Sequence, residues 1–159
     1  MDAHPPPTPP DRQAGPHRAL PGRRAALTQG VALLLGPGPL QAQSALVGDG
    51  ERWYAAAAAM RAQALSWGDQ PYGAVLVQGG RIIGNGPSRV VKNRNPDAHA
   101  EREALRDALE RWGPDAVRGA VLYSTSQPCA ACERAAARAG VARMVFGETL
   151  VDGGVPALR

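Results

Sequence analysis

The stretch "GAVLYSTSQPCAACERAAARAGVARMVFG", Gly119–Gly147, decides the fold of this chain. "GAVLYSTS" is nearly all apolar at first, so it reads as a central strand covered on both faces. From Cys129 to Ala139 the period changes to that of a helix. Cys129, Cys132, Ala136 and Ala139 share one face, and Arg134 and Arg138 face away. Pro128 suits the helix start, and Gly140 suits the position just past its end. "ARMVFG" then reads as another buried strand. Strand, helix and strand in this order imply an α/β layered sheet.

Working outward, "YGAVLVQGGRIIGNG" predicts a hairpin. One strand lies near Ala74–Val77, the turn at Gly79-Gly80, and the return strand around Arg81–Gly84. "GERWYAAAAAMRAQALSWG" predicts a helix over about Glu51–Ser66, ended by "GDQP". Between hairpin and central strand, "NPDAHAEREAL" (Asn95–Leu105) opens another helix. Asp97 is placed to cap it and Trp112 lies near its end, before Gly113-Pro114. The sheet is thus part antiparallel and part parallel.

The helix after Asp97 raises a chemical question. Leu105, Ala108, Leu109 and Trp112 make an apolar stripe, and Glu101 falls on it. Arg102, Glu103 and Arg106 fall on the solvated side. An inward carboxylate is costly unless something compensates it. His99 sits two residues earlier, in the first turn if the helix begins at Asp97, and can point beyond the helix end. Cys129 and Cys132 stand at another helix start, where exposed amides lower a thiol's pKa. Two cysteines at this spacing are half of a metal site or a redox pair. With His99 they make three zinc ligands, and catalytic zinc leaves its fourth position to water. Glu101 beside that water is a proton carrier and not a ligand.

His99-Ala100-Glu101 with Pro128-Cys129-Ala130-Ala131-Cys132 is the H-x-E…P-C-x-x-C pattern of zinc deaminases. With "PYGAVLVQGGRIIGNG" and "ARMVFG" it resembles the cytidine and deoxycytidylate deaminase superfamily over about Glu51 to Gly147. The branch it looks most like holds guanine deaminase and the tRNA adenosine deaminases. The resemblance implies a three-layer α/β/α sandwich around a five-stranded mixed sheet, usually dimeric or tetrameric. It implies one zinc ion held by His99, Cys129 and Cys132, with Glu101 as general acid and base. The reaction is hydrolytic: water attacks the ring carbon bearing the exocyclic amine, and ammonia leaves. Tyr72 is either core packing or an aromatic wall for the base. Ser88 stands where many purine-deaminating relatives have a substrate-contacting asparagine, and Ala100 is a further substrate contact. Gln127 replaces a common glutamate. "GETLVDGGVPALR" is too short for the helix and fifth strand with which relatives usually continue, so the pocket is expected to be shortened, with a missing fifth strand and an exposed edge.

Three functions compete. Deamination of a free nucleobase or nucleoside comes first, tRNA adenosine deamination second, and a catalytically inactive zinc-binding module third. Of the 15 prolines, nine precede Gln41, so residues 1–44 read as a separate Pro-rich region. They also carry Arg23-Arg24, a mildly apolar run from Ala25 to Leu35, and Ala42-Gln43-Ser44 at a cleavage-like position. That resembles a twin-arginine signal and predicts a periplasmic or secreted protein, with a cytoplasmic tail as the alternative. The run is too short to predict a stable membrane span. The formal charge is +4, but residues 45–159 carry 14 basic and 12 acidic side chains and are near neutral. That argues against a nucleic-acid partner and for a small-molecule nucleobase or nucleoside. Residues 45–159 form the deaminase-like zinc domain, expected to associate as a homodimer.

Overall fold

The computed structural model describes residues 39–158, with side chains from residue 49 onward. Helix α1, Pro39–Ser66, is followed by the hairpin of β1, Gly73–Gln78, and β2, Arg81–Pro87. Then come α2, Ala100–Trp112, a single turn α3, Pro114–Val117, and β3, Val121–Ser124. The chain continues with α4, Ala130–Ala139, β4, Arg143–Phe146, and β5, Val151–Gly154. The five strands form one sheet in the order β2-β1-β3-β4-β5. β1 is antiparallel to β2 and β3, β3 is parallel to β4, and β5 is antiparallel to β4.

The strand period sorts the core into two faces. Val75 and Val77 pack with Trp53 and Ala57 of α1. Leu76 and Leu122 point the other way, onto Leu105 and Ala108 of α2 and Ala136 of α4. The result is the expected three-layer α/β/α sandwich. Helix α2 lies directly on the backbone of β2. A Cβ at Gly84 would sit 2.1 Å from the Ala104 carbonyl oxygen, and one at Gly86 would sit 2.0 Å from that of Ala100. Only glycine permits so close an approach. Since β1 opposes both neighbours, β2, β3 and β4 run the same way. Their C-terminal ends meet the N-termini of α2 and α4 along one edge of the sheet, where open α/β sheets bind ligands.

Several expectations are corrected. α1 begins twelve residues before Glu51 and runs unbroken through residues 44 and 45. β4 is only partly buried, with Arg143 exposed. The fifth strand is present: a tight turn over residues 147–150 returns the chain beside β4, and no helix intervenes. The apolar stripe of α2 is buried at Leu105 and Ala108, but Leu109 and Trp112 are exposed. Glu103 is buried, ion-paired with Arg89 at 3.3 Å and Arg106 at 2.7 Å. The arginine pair and apolar run of the signal-like segment lie outside the described residues, and residues 42–44 fall within α1. Among the described residues no helix is long and apolar enough to cross a membrane.

Candidate metal and deaminase site

Two helix starts face each other at the sheet edge. His99 is the N-cap of α2 (φ −65°, ψ 153°) and Cys129 the N-cap of α4 (φ −73°, ψ 163°). Both are extended, and each carbonyl accepts the first helical hydrogen bond, from Glu103 and Glu133 at 2.9 Å. Such positions favour a short polar side chain that bonds back to the helix amides. Neither His99 nor Cys129 makes that bond. Asp97 is therefore not the cap. Its amide donates to Asn95 Oδ1, and its carboxylate accepts from Arg102 at 2.7 Å.

The freed side chains converge. His99 Nδ1 lies 3.6 Å from Cys129 Sγ and 3.5 Å from Cys132 Sγ. All three ligand atoms lie within 4.8 Å of one another. Tetrahedral zinc with bonds of about 2.3 Å to sulfur and 2.0–2.1 Å to nitrogen separates the two atoms by about 3.6 Å. Both nitrogen–sulfur distances therefore match the spacing of ligands on a four-coordinate metal. Both cysteines are free thiols. Cys132 has no exposed surface, and burial pushes its thiol pKa up, with the nearby Glu101 charge adding to the effect. A thiolate at Cys132 needs a cation beside it.

Glu101 is 5% exposed and faces the same place. Ser124, at the end of β3 and fully buried, donates from Oγ to Glu101 Oε1 at 2.9 Å. The same hydroxyl reaches the Ser126 carbonyl oxygen at 2.8 Å. One hydrogen serves one acceptor at a time. Sequence reasoning missed Ser124. The available signal was a hydroxyl at an inward strand position, two residues from Leu122.

A cavity of about 230 Å³ opens in front of these groups. His99, Ala100, Glu101 and Cys129 form its floor, with Gln70, Tyr72, Ser126 and Gln127 around them. Tyr72 is 43% exposed, so it is a wall and not core. Ala100 also lines the cavity. Ser88 does not. It is fully buried and donates to Asp69 Oδ1 at 2.9 Å. Asp69, itself buried, also accepts from the Gln70 and Lys92 amides at 2.8 Å each. It thus pins the 88–92 loop to the segment carrying Gln70 and Tyr72. Burial opposes charge on Asp69, but its hydrogen bonds outweigh that and hold its pKa below the usual value. Gln70 and Asp69 were read only as a helix terminator.

The chain is 44% identical over 103 residues to a tRNA(Ile)-lysidine synthase of Thermus thermophilus, covering 65% of this chain and 19% of that protein. It is 38% identical over 84 residues to a tRNA-specific adenosine deaminase of Agrobacterium fabrum, covering 53% of this chain and 55% of the relative. The chain thus spans about half the length of that deaminase and far less of the synthase. The solved guanine deaminase of Bacillus subtilis superposes with a TM-score of 0.54 at 31% identity, over 61% of this chain and 62% of that one. The model of the MafB19-like deaminases matches residues 48–155, and the chain belongs to that family.

Proposed function

We propose that this protein is a zinc-dependent hydrolytic deaminase of a nucleobase or nucleoside. The observation that carries the reading is the buried Glu101 carboxylate in one cavity with His99 and Cys129, whose ligand atoms and that of Cys132 lie within 4.8 Å of one another. His99, Cys129 and Cys132 hold one zinc ion. Zinc, when bound, supplies a Lewis acid that makes water a nucleophile near neutral pH. Glu101 takes a proton from the attacking water and delivers it to a ring nitrogen. It then carries a proton to the exocyclic amine as the carbon–nitrogen bond breaks. A ring carbonyl and ammonia result. Tyr72 stacks on the base, and Gln70, Ser126 and Gln127 supply polar contacts at its rim.

A tRNA adenosine substrate is the second reading, favoured by the similarity to the Agrobacterium fabrum protein. The test is bound zinc per chain together with ammonia release from guanine, adenine, cytosine, their nucleosides and a tRNA anticodon stem-loop. One zinc per chain and ammonia from one substrate is the expected result. Glu101→Gln should keep zinc and lose turnover. Equal turnover in that variant, or a protein without zinc, overturns the reading. Export through the signal-like segment and a homodimeric state belong to the same proposal. Cell fractionation and the solution mass test them.

A further inference from the structure

A second cavity, of about 290 Å³, adjoins the first and shares Gln127 with it. Glu133 of α4, Met144 and Phe146 of β4, Pro128 and Gly153 complete its wall. Each cavity alone is smaller than the roughly 300 Å³ at which small-molecule sites begin, whereas the two together exceed it. A ligand that extends past Gln127 would use both.

The second cavity has its own chemistry. Glu133 Oε1 accepts the Ala157 amide at 3.1 Å, and no described residue donates to Oε2. Phe146 offers an apolar wall. A Cβ at Gly153 would lie 3.0 Å from Phe146 Cε1, so glycine leaves that ring uncovered. A carboxylate next to an apolar surface suits a neutral group with hydroxyl donors, and carboxylates bind ribose hydroxyls in this way. The same charge repels phosphate.

We propose that the second cavity is a subsite for the sugar of a nucleoside whose base occupies the first, with Glu133 accepting from the ribose hydroxyls. This rests on the deaminase reading and narrows it to nucleosides over free bases and nucleotides.

Calorimetry on the zinc-loaded full chain tests it, with guanosine, adenosine and cytidine against their free bases and 5′-monophosphates. One nucleoside should bind more tightly than its base and its monophosphate. Glu133→Ala should weaken nucleoside binding roughly tenfold or more and leave base binding within about twofold. Ala157→Pro removes the amide that Glu133 holds but keeps the carboxylate, and should leave nucleoside binding intact. A nucleoside no tighter than its base, a tighter monophosphate, or equal weakening of base and nucleoside by Glu133→Ala overturns the subsite. So does an Ala157→Pro variant that reproduces the Glu133→Ala loss. Ammonia is measured in the same samples. Nucleoside binding that depends on Glu133 without ammonia overturns the deaminase reading and leaves the subsite standing.

Discussion

Replacing Ser124 by alanine removes a hydroxyl bonded to both Glu101 and the Ser126 carbonyl. The side chain is fully buried, and its Oγ lies 2.9 Å from Glu101 Oε1. Alanine fits the space without a clash. A hydrogen bond to a charged acceptor is worth about 1.5–3 kcal/mol. In the proposed mechanism Glu101 acts only when protons move, so that energy should be expressed in turnover and not in binding. At about 1.36 kcal/mol per tenfold, kcat should fall roughly ten- to a hundred-and-fifty-fold. KM should stay within about twofold, because Ser124 does not line the cavity.

A structural explanation competes. Ser124 Oγ also reaches the Ser126 carbonyl, three residues before Cys129. Loosening that turn would displace Cys129, a ligand in the proposed zinc site. Zinc content and KM separate the two effects: a displaced Cys129 lowers bound zinc, whereas a disoriented Glu101 leaves it at one per chain. Ser124→Thr keeps the hydroxyl and should recover most of the rate. A fully loaded Ser124→Ala variant with kcat within about twofold of the parent would refute the positioning of Glu101 by this serine.

Gly86→Ala should destabilise the fold by about 3 kcal/mol or more, because its Cβ would overlap the Ala100 carbonyl oxygen at 2.0 Å and the Ala104 amide at 2.6 Å. Urea unfolding checks this, and a midpoint unchanged from the parent contradicts the helix-on-backbone packing. Asp69 has a folded pKa below its unfolded value of 3.8. Its contribution is therefore complete well above pH 3.8 and is lost as the pH falls through the lower, folded pKa. Asp69→Asn should flatten that acid-side loss in a series of thermal melts from pH 6 to pH 2, and an identical slope in both proteins speaks against the assignment.

The βαβ unit was legible because its apolar residues follow the strand and helix periods without interruption. The convergence of His99, Cys129 and Cys132 was legible as well, since three donor residues and a glutamate stood in a known pattern. Less legible was their placement. Asp97 is a good cap by residue type, but Asn95 takes its amide and Arg102 its carboxylate, so the chain runs on to His99 before the helix begins. Glu103 looked solvated because helix periodicity knows nothing of the loop that brings Arg89 across it. Trp112 looked buried by the same rule. Instead it meets Arg81 at 5.6 Å and Arg111 at 5.5 Å, whose guanidinium groups lie over its ring. Ser88 lay in the right loop, yet the buried Asp69 drew its short side chain away from the cavity.

The end of the chain shows how loop length alone can decide a topology. Parallel strands need a crossover of a dozen or more residues, whereas antiparallel ones need only a turn. Residues 147–150 separate β4 from β5, so β5 can only run antiparallel. "VDGG" has no apolar alternation, which is why the strand is visible only through its pairing with β4. The turn uses Gly147 at φ 72° and Leu150 at φ 54°, the latter a strained position for a branched side chain. Beyond β5 the tail turns toward α4, where Pro156 is buried and the Ala157 amide reaches Glu133. A connection long enough for a crossover helix would direct the chain elsewhere and leave Glu133 without this partner. The short turn, the antiparallel strand and the held carboxylate are therefore one consequence. The turn and the strand bring Gly153 to the wall of the second cavity from a segment whose sequence carries almost no signal of its own.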